Sequence, residues 1–247
     1  MVKCLFMKVC VVLPALNEER IIANSCKQVM RYLDAHRPGW DWELMVVDNG
    51  SKDKTSEIVR ELVTREARLQ YLKIDRIGKG YAIKAGWQAA SADVYMFMDA
   101  DLATDLAATP VVLNAVSQEG YDVAVGSRYA PGAVVERDWL RRITSRGYWI
   151  LLKLLLGVRV ADAPCGFKAI SRKVRDQLLP QVENGEWFFD TELLVRAERA
   201  GYRVKEIPVR WREIITPGRK SKVKIFALSI GYLRSVISLR RRLASVK

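Results

Sequence analysis

Asp99-Ala100-Asp101 places two carboxylates two residues apart, directly after the apolar run Val94–Met98. Hard oxygen donors at that spacing can grip a divalent cation and, through it, neutralise a diphosphate. The same pair also suits a turn or a helix cap. A third carboxylate, Asp48, closes the apolar run Glu43–Val47 in the same manner. The chain has one histidine, His36, and four cysteines without Cys-x-x-Cys spacing. A histidine-built metal site or a Ser-His-Asp triad is therefore poorly supplied, and Mg²⁺ or Mn²⁺ is favoured over Zn²⁺. The scattered cysteines read as reduced thiols, Cys165 as a packed one.

Other residues carry two readings each. Glu18 sits where a helix begins after Asn17, as a ligand-facing carboxylate or a plain first-turn acid. Asp48 either faces a ligand or orders the Asn49–Ser51 turn. Gly78-Lys79-Gly80 lacks the spacing of a phosphate-binding P-loop and reads as a mobile loop that brings Lys79 to a ligand. Arg141, Arg142 and Arg146 read as a solvated helix face. Asp190 is a working carboxylate, or the cap of a helix with Glu192 in its first turn.

These residues need strands and helices to position them. Val9–Leu13, Glu43–Val47, Leu69–Ile74, Val94–Met98 and Val123–Gly126 read as buried strands. Helices follow from Asn17 to about Tyr32–His36, from Thr55 to Glu66, over Tyr81–Ala90 and over Ala107–Gln118. The alternation predicts a mostly parallel α/β sheet with helices on both faces, whose ligands sit beyond the strands' carboxyl ends. Pro14–Glu18, Asp48 and Asp99–Asp101 all fall at that edge. Further on, Trp139–Leu156 and Phe189–Ala200 read as helices, Asp162–Ser171 as a loop and strand, and Tyr202–Val209 as a strand. Val223–Leu243 is an amphipathic helix with Ile225, Leu228, Tyr232, Val236 and Leu239 on one stripe.

Five segments recur in a familiar order: Val11–Glu19, Val46–Thr55, Arg76–Ile83, Met98–Asp101 and Gly126–Arg128. Together they resemble the family 2 glycosyltransferases of GT-A fold. Asp162–Lys168 and Trp187–Leu194 narrow the resemblance to the dolichyl- or polyprenyl-phosphate sugar synthases, most of all the dolichyl-phosphate β-glucosyltransferases. The resemblance implies an inverting, metal-dependent transfer from a nucleotide-sugar, UDP-glucose first and GDP-mannose or a UDP-N-acetylhexosamine as alternatives. Its acceptor would be polyprenyl or dolichyl phosphate, with a soluble acceptor as the rival. Pro14, Leu16, Glu18 and Asp48 would surround the base and ribose, Leu16 standing where the family usually has Tyr. Lys79, Asp99, Ala100 and Asp101 would meet the diphosphate, with Asp99 and Asp101 as metal ligands. The mannose-type enzymes carry a Gln where Ala103 stands. Arg128, Arg141, Ser145, Arg212 and Lys222 would receive the acceptor phosphate, and Asp190 joins Asp99, Asp101 and Arg128 as a candidate catalytic group.

Charge points to the same surroundings. The net charge is +13, and nine of the cations lie after residue 213 with no acid among them, which leaves +4 on the first 213 residues. A concentrated cationic segment seeks an anionic surface. It lies beside an apolar stripe and lacks the interleaved aromatics that stack bases, which argues against nucleic acid. The longest apolar stretches, Trp149–Val158 and Ile225–Leu233, fall short of the ~20 residues that span a bilayer, while Tyr148–Val158 and Val223–Leu239 offer apolar faces of interfacial length. No leader is evident before the first strand. The expected organisation is a catalytic domain over 1–222 and a basic interfacial helix over 223–247, peripheral on the cytoplasmic face of a membrane.

Overall fold

The computed structural model describes residues 7–36, 40–136, 139–213 and 225–244, with positions 139–146, 148 and 225–230 described by backbone alone. Strands β1 (Met7–Ala15), β2 (Trp40–Asp48), β3 (Leu69–Lys73) and β4 (Val94–Met98) alternate with α1 (Ile22–Ala35), α2 (Thr55–Val63) and α3 (Lys79–Ala89). Every pairing among these four strands is parallel. Burial on both faces explains the unbroken apolar runs of β1 (Val9–Leu13) and β4, whereas β3 at the sheet edge is only partly buried. All five residues of β4 are buried. After α4 (Thr109–Ser117), β5 (Val123–Ser127) continues in the same direction.

The second half departs from the alternation. β6 (Val134–Glu136) and α5 (Trp139–Leu156) precede β7 (Phe167–Ser171), which is followed by α6 (Arg172–Gln177), α7 (Phe189–Arg199), β8 (Val204–Pro208), β9 (Arg210–Arg212) and α8 (Ile225–Ala244). The seven-stranded sheet runs β3-β2-β1-β4-β7-β5-β8. β7 enters between β4 and β5 antiparallel to both, so its first residue, Phe167, lies opposite Met98. β6 and β9 pair apart from the main sheet. The expected mostly parallel sheet flanked by helices is thus present, with an antiparallel strand inserted between β4 and β5.

Two local expectations change. Asn17 does not cap α1, which begins at Ile22 without a side-chain cap. Its backbone is left-handed, φ 52, and its side chain accepts from Lys52 N at 2.7 Å while its own N–H donates to Ser51 Oγ at 2.8 Å. The Gly78–Gly80 stretch is no mobile loop either. Lys79 opens α3 and is 9% exposed.

The described part of the α8 stripe turns inward: Val236 and Leu239 are wholly buried in the core that also holds β4 and α7, with Tyr232 partly buried against it, while the side chains of Ile225 and Leu228 lie outside the described residues. Leu233 and Ile237 point outward instead. α5 divides in the same way, with Leu152 and Leu156 buried and Ile150 and Leu154 exposed.

Candidate active site

The acidic pair lies where β4 ends. Asp99 N–H donates to Gly166 O at 3.0 Å, which ties it to the entry of β7. Position 166 must be glycine for that approach, because a Cβ there would run into the Asp99 carboxylate. Leu102 follows in the left-handed region at φ 51, an uncommon conformation for a bulky side chain. The turn it makes lets Ala103 N–H donate to Asp101 Oδ1 at 3.2 Å. Ala100 is held from below, its carbonyl accepting from Ser25 Oγ at 2.6 Å.

A chain of alternating charges leads inward from Asp99. Lys79 Nζ lies 2.7 Å from Asp99 Oδ1 and 3.4 Å from Asp190 Oδ2. Lys168 Nζ lies 2.8 Å from Asp190 Oδ1 and donates also to the Cys165 carbonyl. Lys168 is fully buried and Asp190 is 2% exposed. Charges so deep persist only when paired and hydrogen-bonded. Burial alone would depress the Lys79 ammonium, but Asp190 and then Asp99 hold it well above the usual lysine range. Burial pushes the Asp99 carboxyl upward, with Asp101 and Asp190 adding to that rise and Lys79 opposing it. Asp190 thus seats two lysines and is not the cap of α7, whose N-cap residue is Phe188.

Around this centre the other candidates divide. Pro14, Leu16 and Glu18 lie at the carboxyl end of β1, where Glu18 N–H donates to Thr55 Oγ1 at 2.8 Å. Asp48 is wholly buried. It accepts from Ser51 N at 2.8 Å, from Tyr71 Oη at 3.1 Å and from Ser56 Oγ. Burial would raise its pKa, but the hydrogen bonds of Ser56, Ser51 and Tyr71 hold it below the ordinary carboxylate value. Its turn-ordering role is therefore satisfied in full.

Arg128 is similarly committed. It grips Asp162 with Nε at 2.7 Å and Nη2 at 2.6 Å, and its backbone N–H donates to the same carboxylate at 2.8 Å. The Trp211 ring lies 5.5 Å from this guanidinium. Arg212, exposed on β9, donates its N–H to Ala103 O at 2.9 Å, which brings it beside the acidic pair. Arg141 and Ser145 fall on α5 with their side chains outside the described residues, and Lys222 lies outside them altogether.

Lys168 and Asp162 are partners to which the sequence assigned no role, and Glu192, expected in the first turn of the helix and found there, is a further partner. Glu192, fully buried, accepts from Asn184 N at 2.9 Å and Arg196 Nε at 2.8 Å. Lys168 stands in an apolar run, Phe167–Ser171, where a lone cation is itself a signal for a buried partner.

No cluster of three or more His, Cys, Asp or Glu side chains able to hold a metal occurs among the described residues. Asp99 and Asp101 nevertheless fit a cation of the Mg²⁺ or Mn²⁺ kind, which takes one or two protein carboxylates and completes its sphere with phosphate oxygens and water.

The family model for glycosyl transferase family 2 matches residues 10–179. The chain is a family 2 glycosyltransferase. Over 206 residues it is 40% identical to glycosyltransferase AglD of Haloferax volcanii, an alignment covering 83% of this chain and 33% of that protein. The chain thus spans about a third of that relative's length. The glycosyltransferase is also 32% identical to dolichyl-phosphate β-glucosyltransferase ALG5D of Trichomonas vaginalis, over 96% of this chain and 75% of the other. Among solved structures, it shares the fold of glucosyl-3-phosphoglycerate synthase from Mycobacterium tuberculosis in complex with UDP. That match has a TM-score of 0.70 and 22% identity, and covers 95% of this chain and 80% of the other. The same synthase has been solved with Mn²⁺, UDP-glucose and phosphoglyceric acid, TM-score 0.69, at 22% identity over 95% of this chain and 80% of that one. No described helix is long and apolar enough to cross a membrane.

Proposed function

We propose that the enzyme transfers glucose from UDP-glucose to a polyprenyl or dolichyl phosphate, working as a peripheral protein at the cytoplasmic face of a membrane. The observation that carries this reading is the Asp99–Asp101 pair, flanked by Lys79, at the carboxyl end of β4 in a chain so like the dolichyl-phosphate β-glucosyltransferases. Pro14, Leu16 and Glu18 line the nucleoside side of the site. Asp48 shapes that side through the Asn49–Ser51 turn. Lys79, Asp99, Ala100 and Asp101 meet the diphosphate.

When bound, a Mg²⁺ or Mn²⁺ held by Asp99 and Asp101 supplies positive charge against that diphosphate. The chain's own residues do the rest. Asp190 and Lys168 fix Lys79 so that its ammonium faces charge accumulating on the departing diphosphate, a preorganised electrostatic contribution. A phosphate oxygen of the acceptor attacks the anomeric carbon, and the bond to the diphosphate breaks with its electron pair leaving on UDP. The acceptor is already an anion near neutral pH, so no base has to take a proton from it. Asp190, between the two lysine ammonium groups, serves to seat Lys79. Arg128, Arg141, Ser145, Arg212 and Lys222 form the phosphate side. Asp162 holds the Arg128 fork in one orientation, and Arg212 enters along the Ala103 edge.

The exposed Ile150 and Leu154 of α5, with Leu233 and Ile237 of α8, support contact with a lipid surface. The exposed Arg234, Arg240 and Arg241 add charge suited to anionic headgroups.

A panel of UDP-glucose, GDP-mannose and UDP-N-acetylglucosamine, each with polyprenyl phosphate or phosphoglyceric acid, tests the reading by nucleoside diphosphate release. UDP release from UDP-glucose that depends on polyprenyl phosphate is the expected result. Release with GDP-mannose alone overturns the donor assignment. Release that follows phosphoglyceric acid instead of the lipid phosphate overturns the acceptor assignment.

A further inference from the structure

The segment Glu183–Phe188, which leads into α7, forms a wall over Lys79. Gly185 O accepts from Tyr81 N–H at 2.8 Å, and the Lys79 ammonium lies 5.6 Å from the Trp187 ring centroid. Gly185 lies flat on the Tyr81 ring, with no room for a Cβ. Any shift of this segment is therefore passed to the first turn of α3, where Lys79 meets Asp99.

α8 grips the segment from outside at two points. At one end, Arg242 Nη1 lies 2.5 Å from Glu183 Oε2, and Nη2 lies 3.5 Å from Glu192 Oε1. Glu192 also accepts the Asn184 N–H at 2.9 Å, so the arginine braces the turn that starts the wall. At the other end, Tyr232 Oη donates to Trp187 O at 3.2 Å, and its ring meets Phe188 edge-on at 6.0 Å. The ten helical steps from Tyr232 to Arg242 span about 15 Å, and Val236 and Leu239 pack wholly buried between them. Tyr232 lies close enough to the charge chain that burial, followed by the charges of Asp190 and Asp99, raises its phenol above the usual range.

We propose that α8 is a clamp on the active site, with Tyr232 and Arg242 as positioning residues that hold Glu183–Phe188 and, through it, Lys79. Their role in sugar transfer rests on the function proposed above; the clamp itself does not. Tyr232→Phe keeps the ring on Phe188 and removes the hydroxyl donor. Arg242→Met keeps the stem and removes both ion pairs, and Arg242→Lys restores one cation.

Amide hydrogen exchange of the purified full chain, without substrate, reads the clamp directly. Arg242→Met is expected to speed exchange of residues 78–82 and 183–188 about tenfold, with β1, β2 and β4 unchanged. Tyr232→Phe is expected to give about threefold, and Arg242→Lys to recover most of the protection. In UDP release from UDP-glucose with polyprenyl phosphate, kcat is expected to fall by a similar factor while the donor KM moves less than about twofold. Unchanged exchange at 78–82 in both weakened variants overturns the clamp, and so does an equal rise across all strands. Should the wild type release no UDP, the functional reading fails while the exchange result still decides the clamp. If Arg242→Met does not fold, Tyr232→Phe carries the same decision.

Discussion

The half of the molecule built on β1–β4 and the half built after β5 make their functional surfaces by different means. In the first, each polar cluster follows directly on its own strand, and the loops are stitched to their neighbours. Asn17 bonds with Ser51 and Lys52, Glu18 N–H with Thr55, and Glu19 with Asp53 and Lys54. In the second, the candidate groups are fixed chiefly by buried ion pairs and strand packing. Asp162 seats Arg128, β9 brings Arg212 to Ala103, and β7 brings Lys168 to Asp190. The first surface is ordered by loop-to-loop hydrogen bonds between the ends of adjacent parallel strands. The second rests on buried ion pairs, so damage to it should register as lost stability as readily as lost chemistry.

The seam between the halves offers the largest effect. Lys168→Met leaves Asp190, 2% exposed, with Lys79 as its remaining lysine partner at 3.4 Å. Breaking a buried pair in this way costs about 3–5 kcal/mol. The urea midpoint should fall accordingly, and an unchanged midpoint would show that the seam ion pair is not what joins the halves. Asp101→Ala, wholly within the first half, should do the opposite. Turnover is expected to drop about 10²–10³-fold, the scale of losing one preorganised charge contact, while the urea midpoint stays put. Retained turnover would remove the acidic pair from the reaction.

That contrast also accounts for what was legible before the structure. Strands such as Val94–Met98 could be read because a doubly covered parallel strand is an unbroken apolar run, and the ligand edge follows from the chain order of strands and helices. The antiparallel insertion of β7 could not, since Phe167–Ser171 carries the same pattern whichever way it runs. Asp190 illustrates the limit at the site. Its place in the first turn of a helix suited either a cap or a working carboxylate, and the choice was made by Lys79 and Lys168, more than 20 residues away on different elements. The stripe of α8 was visible as a stripe, but an amphipathic pattern does not say whether it meets lipid or protein; Val236 and Leu239 meet protein.

A smaller effect tests how far local stitching stabilises the first half. Asp48 has its pKa held below the ordinary carboxylate value, with burial opposing and the Ser56, Ser51 and Tyr71 hydrogen bonds prevailing. A depressed folded-state pKa contributes stability above the unfolded value of about 4, and that contribution is lost as pH falls through the folded one. Asp48→Asn should therefore cost about 1–2 kcal/mol at pH 7, and the gap to wild type should narrow toward pH 3. An equal gap at both pH values in urea titrations would mean that shape, and not the ionised carboxylate, orders the turn.

The smallest expected effect concerns the outward faces of α5 and α8, where the second half would meet lipid. Leu154 is 77% exposed and Ile150, one turn before it, 49%. Leu154→Glu removes one apolar anchor and sets a negative charge against anionic headgroups, so affinity for phosphatidylglycerol vesicles should fall about tenfold, or about 1.4 kcal/mol. Val111, 46% exposed on α4, provides the matched control, because Val111→Glu adds the same charge outside both outward faces. Equal losses from the two variants would reduce the lipid contact to net charge. A loss confined to Leu154→Glu, with UDP release to a short-chain water-soluble polyprenyl phosphate intact, would assign α5 to presenting the lipid and leave the chemistry to the β4 edge.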